Sequence, residues 1–379
     1  MDNLTHSLVG LAAAKAGVER LSPGVTALCV VAANAPDSDI VVLFFRDRWA
    51  FLQQHRGISH SIIGTLFLAL LVPLLFYAGD LLISRLRQRA PQTSLKGLLL
   101  ASLIVTITHP LLDWTNNYGI RFLLPWRATW FYGDLVFVVD PFIWLILGGS
   151  CFLLTSKTTT QKLLWAFLGL VLSLLVVVGP RSAGLTNPSL VRAIWLGSLA
   201  CFVMLLLLRT GARFGSRVAL ASFALLLFYW GCLAVLHARA MNQGNEQATL
   251  LAQARGETIS RLAAMPTLAD PFRWDCVFET DRATYRFRLT LGDRELSERL
   301  VRFENPDPLS PLMLEAKQDA RAKIFLGFAR FPVLQLSDPN CTANTLVQMA
   351  DLRYTEPGAS RGTFALDVPV DCGAAGLSK

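Results

Sequence analysis

His55-Arg56-Gly57-Ile58-Ser59-His60 runs directly into the apolar stretch Ser61–Ile83. About 20 apolar residues are needed to cross a bilayer, so Ser61–Ile83 predicts a membrane span, kinked at Pro73. Two histidines and an arginine at the mouth of such a span are costly unless they are solvated, paired or bound. The chain holds only five histidines, at positions 6, 55, 60, 109 and 237. The reading that follows is that His55 and His60 centre a metal site at a membrane face, which the first 140 residues build.

Composition agrees with a membrane protein. Of 379 residues, 53% are hydrophobic and 16% charged, against about 25% charged in soluble domains. Mean hydropathy is +0.45. The net charge of +8 is accounted for by basic loops, which orient membrane proteins. No clustered basic face points to nucleic acid.

Upstream, Thr5–Ala16 and Val25–Ala35 are each too short to span, with a turn at Ser22-Pro23-Gly24. They predict a half-embedded hairpin that brings His6 to the height of Pro36-Asp37-Ser38-Asp39. No cleavable leader is expected, because Met1-Asp2-Asn3 lacks a positive start. Downstream spans are predicted at Leu98–Leu112, Val136–Leu154, Leu163–Gly179, Val191–Leu208 and Val218–Leu236, giving six with the first. The loop after Asp113 carries Trp114, Tyr118, Trp126, Trp130, Phe131 and Tyr132, a composition suited to a membrane interface.

Alternate loops differ in charge. One set holds Arg85, Arg87, Arg89, Lys96, Lys157, Lys162, Arg209, Arg213 and Arg217 without an acidic partner. The other holds Arg46, Arg48, Arg56, Arg121, Arg127 and Arg181 along with Asp47, Asp113 and Asp134. The first set is therefore assigned to the cytoplasm. His55, His60, His109, Asp113 and Asp140 then share the outer face.

Past residue 238 the apolar runs stop. A helix is predicted over Glu246–Ala264, then a hairpin of strands 274–280 and 284–291 around Asp281-Arg282-Ala283. Further strands are expected at Phe325–Arg330, Met349–Tyr354 and Thr363–Val370. The fold class is thus mainly α, a polytopic helical membrane protein with a small C-terminal α+β domain. Its regions are 1–150, membrane-embedded and site-bearing; 151–238, additional spans; and 239–379, extracytoplasmic. In that compartment one disulfide is expected among Cys276, Cys341 and Cys372, the pair being open.

Zinc takes imidazole and carboxylate ligands from several segments. The candidates are His6, Asp37 and Asp39, His55 and His60, and His109 with Asp113, the last two on one helical face at i, i+4. A bound metal lowers the pKa of water and polarises an ester or phosphodiester oxygen, and Arg56 is suited to hold an anion. Each histidine alone is most simply an interfacial anchor or cap, the class in which His237 stays. Asp37 and Asp39, or Asp134 and Asp140, alone read as caps. The conjunction on one face favours the metal.

These motifs, Asn3-Leu4-Thr5-His6-Ser7-Leu8-Val9-Gly10, Pro36-Asp37-Ser38-Asp39, His55-Arg56-Gly57-Ile58-Ser59-His60-Ser61 and Thr108-His109-Pro110-Leu111-Leu112-Asp113, occur in this order. Together they resemble the membrane-bound metal-dependent hydrolases, described in enterobacteria as LexA-regulated inner-membrane hydrolases. The resemblance covers about residues 1–150, with Ser59 where a threonine is usual. It implies His6, Asp37, His55, His60, His109 and Asp113 as ligands, with Asp39 as ligand or general base. A more distant similarity to zinc-dependent phospholipase C and single-strand nucleases implies phosphodiester hydrolysis with one or two metals.

The expectation is a bacterial inner-membrane hydrolase using zinc or manganese on a lipid or other phosphoester at the periplasmic face. Asp37 or Asp39 is its base and Arg56 its anion clamp. The bilayer is its partner, and no nucleic acid is expected. The alternative is a non-catalytic, metal-stabilised scaffold or sensor that binds an envelope partner.

Overall fold

The computed structural model describes residues 1–178, 188–293, 300–307, 310–339, 343–358 and 364–372; Arg181, Cys341 and Thr363 lie outside them. The chain is mainly helical. Among the described residues six helices are long and apolar enough to cross a membrane: Val25–Phe44, Ile62–Leu86, Leu95–Trp114, Thr159–Val178, Pro188–Leu207 and Ser216–Gln253. They fall into two compact units.

The first unit comprises residues 1–38, 56–235 and 266–271. Helix α1 (Asn3–Lys15) is capped by Asp2, whose carboxylate accepts from the Thr5 amide. It packs on α2 (Val25–Asn34) so closely that a Cβ on Gly10 would lie 2.5 Å from the Cys29 carbonyl oxygen. The expected half-embedded hairpin is therefore only half right. The second limb does not stop at Ala35 but continues as a 3-10 helix over Ala35–Phe44, reaching span length. Pro36 limits the α-helix by removing a donor, while tighter i to i+3 bonding carries the chain onward.

Helix α3 (Arg48–Gln54) belongs to the other unit. Helix α4 (Ile62–Leu86) is the predicted first span and carries Pro73 inside it. Leu66, Phe67, Leu70, Leu74 and Leu75 are exposed on it, as a lipid-facing surface requires. Helices α5 (Leu95–Thr106) and α6 (Thr108–Trp114) make the next span. Two cores flank α1. One joins it to α2, α4 and α5 through Leu28, Val72, Leu98 and Val105. The other joins it through Leu8 and Ala12 to Ile143 and Leu147 of α7 (Pro141–Thr155) and to Val176, Trp195, Leu226 and Leu233. Those last four lie on α8 (Thr159–Val178), α9 (Pro188–Leu207) and α11 (Ser216–Gln253), the short α10 (Thr210–Phe214) intervening. The span expected over Val136–Leu154 is a 15-residue helix. Asp140 caps it and Pro141 occupies its first turn, so residues 136–139 are left to the loop.

The second unit comprises residues 39–55, 236–265 and 272–379. Here α3 packs on α13 (Ala320–Phe328), which follows α12 (Pro311–Gln318). Helix α11 runs unbroken to Gln253, and Gly256, at φ +63°, follows its end. The predicted helix therefore ends early, and Ile259–Thr267 is strand β1. Strands β2 (Asp270–Thr280) and β3 (Ala283–Thr290) form the predicted hairpin, with Cys276 opposite Phe287. With β4 (Val301–Glu304) they give a sheet of order β1-β2-β3-β4. Strands β5 (Pro332–Leu336), β6 (Asn344–Asp351) and β7 (Ala365–Asp371) give a second antiparallel sheet. The strand expected over Phe325–Arg330 is instead the end of α13. Asp319 caps that helix by accepting from the Arg321 and Ala322 amides, and Phe325 and Phe328 are buried at helical spacing. Among the described cysteines, Cys372 is disulfide-bonded and Cys276 is free and buried.

Candidate metal centre

Four side chains from two helical segments and one turn meet in the first unit. Asp37, His60, His109 and Asp113 each offer one ligand atom, all within 4.8 Å of one another. Local structure explains the convergence. His60 ends a 3-10 turn, Ile58–His60, and the next residue, Ser61, caps α4 by accepting from the Gly64 amide. Gly64 lets the turn lie on the helix, since a Cβ there would sit 1.7 Å from the Ile58 carbonyl oxygen. His109 and Asp113 lie one turn apart on α6, both buried. Asp37 lies in the 3-10 continuation of α2.

The imidazoles are held by their far nitrogens. His109 Nδ1 donates to the Ala33 carbonyl at 2.6 Å, which leaves Nε2 to present a lone pair when the ring is neutral. His60 Nδ1 is 2.9 Å from Ser59 Oγ. The two Nε2 atoms then face each other at 3.1 Å. His60 Nε2 lies 3.3 Å from Asp37 Oδ1 and 3.3 Å from Asp113 Oδ2. His109 Nε2 lies 3.5 Å and 3.4 Å from the same two carboxylates. A His with its outer nitrogen bonded to a carbonyl or hydroxyl is the usual outer shell of a metal ligand.

His6 of α1 lies beside this group. Its ring stacks on His109, with centroids 3.7 Å apart, and its Nε2 is 3.5 Å from Asp113 Oδ1. Among the described residues, neither nitrogen of this buried ring makes a well-aligned hydrogen bond, nor does Asp113 Oδ2. Buried polar atoms are rarely left so. Orphaned donors and an imidazole pair turned inward fit a divalent cation, and a borderline metal suits this nitrogen and oxygen set.

Arg56 approaches from the opposite side of Asp113. It is buried, donates from NH2 to Asp113 Oδ1 at 2.9 Å, and from NH1 to Asn116 Oδ1 at 2.9 Å and the Gly119 carbonyl at 3.2 Å. The guanidinium also stacks on Tyr118, and the Met1 amino group contacts Asp113 Oδ1 as well. These contacts tie Arg56 to Asp113 and to the loop that follows it; the sequence pointed to an anion clamp. Asn116 escaped the sequence reading, which took Tyr118 only for an interfacial aromatic. The buried pair Asn116-Asn117 directly after the His109 motif was the available signal.

Asp39 and His55 belong to the second unit. They pair with each other in the second unit, with His55 Nδ1 3.2 Å from both Asp39 oxygens. Asp140 caps α7 and accepts from Tyr229. His237 lies beside Trp274 in the second unit.

Residues 1–182 match the family described as YdjM inner membrane protein. Among curated proteins, the uncharacterized protein YfhP of Bacillus subtilis strain 168 is 28% identical over 155 residues, 38% of this chain and 43% of that protein. The chain therefore covers less than half the length of this relative. No solved structure matches the chain.

Proposed function

We propose that the chain is a metal-dependent hydrolase of the bacterial inner membrane, cleaving a phosphoester or lipid-linked substrate at the periplasmic face. The observation that carries this reading is the inward-facing pair His60 Nε2 and His109 Nε2, ringed by Asp37, Asp113 and the unpartnered His6. Asp37, His60, His109 and Asp113 would hold the ion, with His6 as a further ligand. A divalent metal there supplies activated water and polarises the oxygen under attack.

The protein groups have separable tasks. Asp37 is the most accessible of the four, its side chain 13% exposed against 0–1% for the others. It is the group that incoming water and substrate meet, and its carboxylate can accept the proton that attack releases. Asp113 is held by Arg56, so its second oxygen stays aimed at the imidazoles. Ser59 and the Ala33 carbonyl fix the two rings. The periplasmic assignment draws support from the disulfide at Cys372, since such bonds persist in oxidising compartments. The basic loops on the other side of the spans support it as well.

Purified full-length protein, supplied with zinc or manganese, is expected to hydrolyse a phosphodiester such as bis-p-nitrophenyl phosphate or a phospholipid. His60→Ala and His109→Ala are expected to abolish that activity. A second reading, a structural metal site in a scaffold, is favoured by the near-complete burial of His60, His109 and Asp113. Structural zinc sites are closed by protein ligands. Metal bound at full occupancy with no hydrolysis of either substrate would select it.

A further inference from the structure

A cavity of about 460 Å³ lies between α7, α8 and α9, in the first unit. Its walls include Trp144, Phe152, Trp165, Trp195 and Phe202, and among the described residues Lys162 is the one charged residue that lines it. Its polar atoms are already engaged: the Trp195 indole donates to Ser173 Oγ at 2.9 Å, and that hydroxyl donates to the Gly169 carbonyl. The Trp165 indole donates to Thr155 Oγ1. What is left is an apolar volume with a lysine.

The position of Lys162 tells what the volume suits. It stands at the first turn of α8, at the end of the unit where α7 finishes and α9 finishes. Helix α10 lies against this end, since a Cβ on Gly211 would meet the Leu153 carbonyl oxygen at 2.1 Å. Lys157, Arg209 and Arg213 therefore belong to the same end as Lys162. No acidic residue occurs between positions 141 and 245. Glu19, which lies close enough to feel Lys157, is already bonded by Lys15 and Thr26. This basic end is remote from the His60 and His109 group, because α1 and α7 run side by side from Asp2 and Trp144, bonded to each other, towards Lys15 and Thr155.

We propose that this cavity holds one acyl chain of an anionic phospholipid whose phosphate is met by Lys162. A tail fits aromatic and aliphatic walls that offer no free hydrogen-bonding group, and an anionic head matches a rim with uncompensated basic side chains. A neutral lipid would satisfy the walls and leave the rim unmatched. The inference does not depend on catalysis at the metal centre, which lies at the other end of the unit.

The test is native mass spectrometry of the full chain in mild detergent. The chain would be titrated with phosphatidylglycerol and with phosphatidylethanolamine of identical acyl chains. Wild type is expected to retain one phosphatidylglycerol in preference to phosphatidylethanolamine. Lys162→Gln should reduce that preference about fivefold, the effect of one basic side chain near an anionic head. Gly169 lines the cavity and a Cβ there meets nothing within 4 Å, so Gly169→Leu adds bulk to the wall without a clash. It should abolish retention of both lipids with unchanged helicity and elution. Retention of neither lipid by wild type, equal retention of both, or full retention by the Gly169 variant would each overturn the proposal. Should Gly169→Leu fail to fold, an unchanged preference in Lys162→Gln overturns it alone.

Discussion

Gly64→Ala should damage the metal centre without touching any ligand. A Cβ at Gly64 would lie 1.7 Å from the Ile58 carbonyl oxygen, 2.7 Å from its carbon and 3.1 Å from Ser59 Cα. All three contacts are backbone, so no side chain can rotate away. Restoring a contact of 3.0 Å requires the Ile58–His60 turn to move by roughly 1.3 Å relative to α4. Sites of this kind tolerate displacements of about 0.5 Å. The turn cannot move without carrying His60 Nε2 away from His109, Asp37 and Asp113. Overpacking of this sort costs about 1–3 kcal/mol in stability. The metal affinity should fall by about 10- to 100-fold, as it does when a ligand's supporting contacts are lost. The assay is a zinc or manganese titration against a competing chelator, with wild type and Gly64→Ala in the same detergent. Circular dichroism of both would show that the helices persist. Unchanged affinity in a folded Gly64→Ala protein would refute the claim that the close packing of turn on helix sets the position of His60.

Arg56→Met removes one partner of the buried Asp113 carboxylate, which keeps the Met1 amino group, and breaking a buried pair costs up to about 3–5 kcal/mol. The thermal midpoint should fall well below wild type, and adding Asp113→Asn to it should recover part of the loss. An additive double variant would show that the two do not act through each other. In the second unit, burial would raise the Glu257 carboxyl, but donors from Arg302, Thr280 and Tyr285 outweigh it and hold it below its ordinary range. Its contribution is present above the unfolded carboxyl pKa, near 4.3, and is lost as pH falls through the lower folded value. Glu257→Gln should therefore destabilise the chain at pH 7, and the gap to wild type should close on acidification. A gap that widens towards low pH would reverse the sign of the argument.

The motifs of the candidate site were legible because each is short and contiguous, and because chemistry-bearing residues in an apolar context are rare. Asp37, His60, His109 and Asp113 meet as expected, and His6 stands beside them. The role of Arg56 was not legible, since it depends on Asn116 Oδ1 and the Gly119 carbonyl some 60 positions away in sequence. The spans erred where local termination signals were underweighted. Asp140-Pro141 starts α7 late, and Pro36 changes helix type without ending the segment. Phe325 and Phe328 were misread as strand because an apolar run of six residues carries both periods until its cap, Asp319, is counted.

The most direct test of the central claim is the metal content of purified wild-type, His60→Ala and His109→Ala proteins by elemental analysis. The account predicts near-stoichiometric zinc or manganese in wild type and its loss from both folded variants. Metal-free wild type that stays metal-free after incubation with either ion and remains folded would contradict it, as would variants that keep the wild-type content.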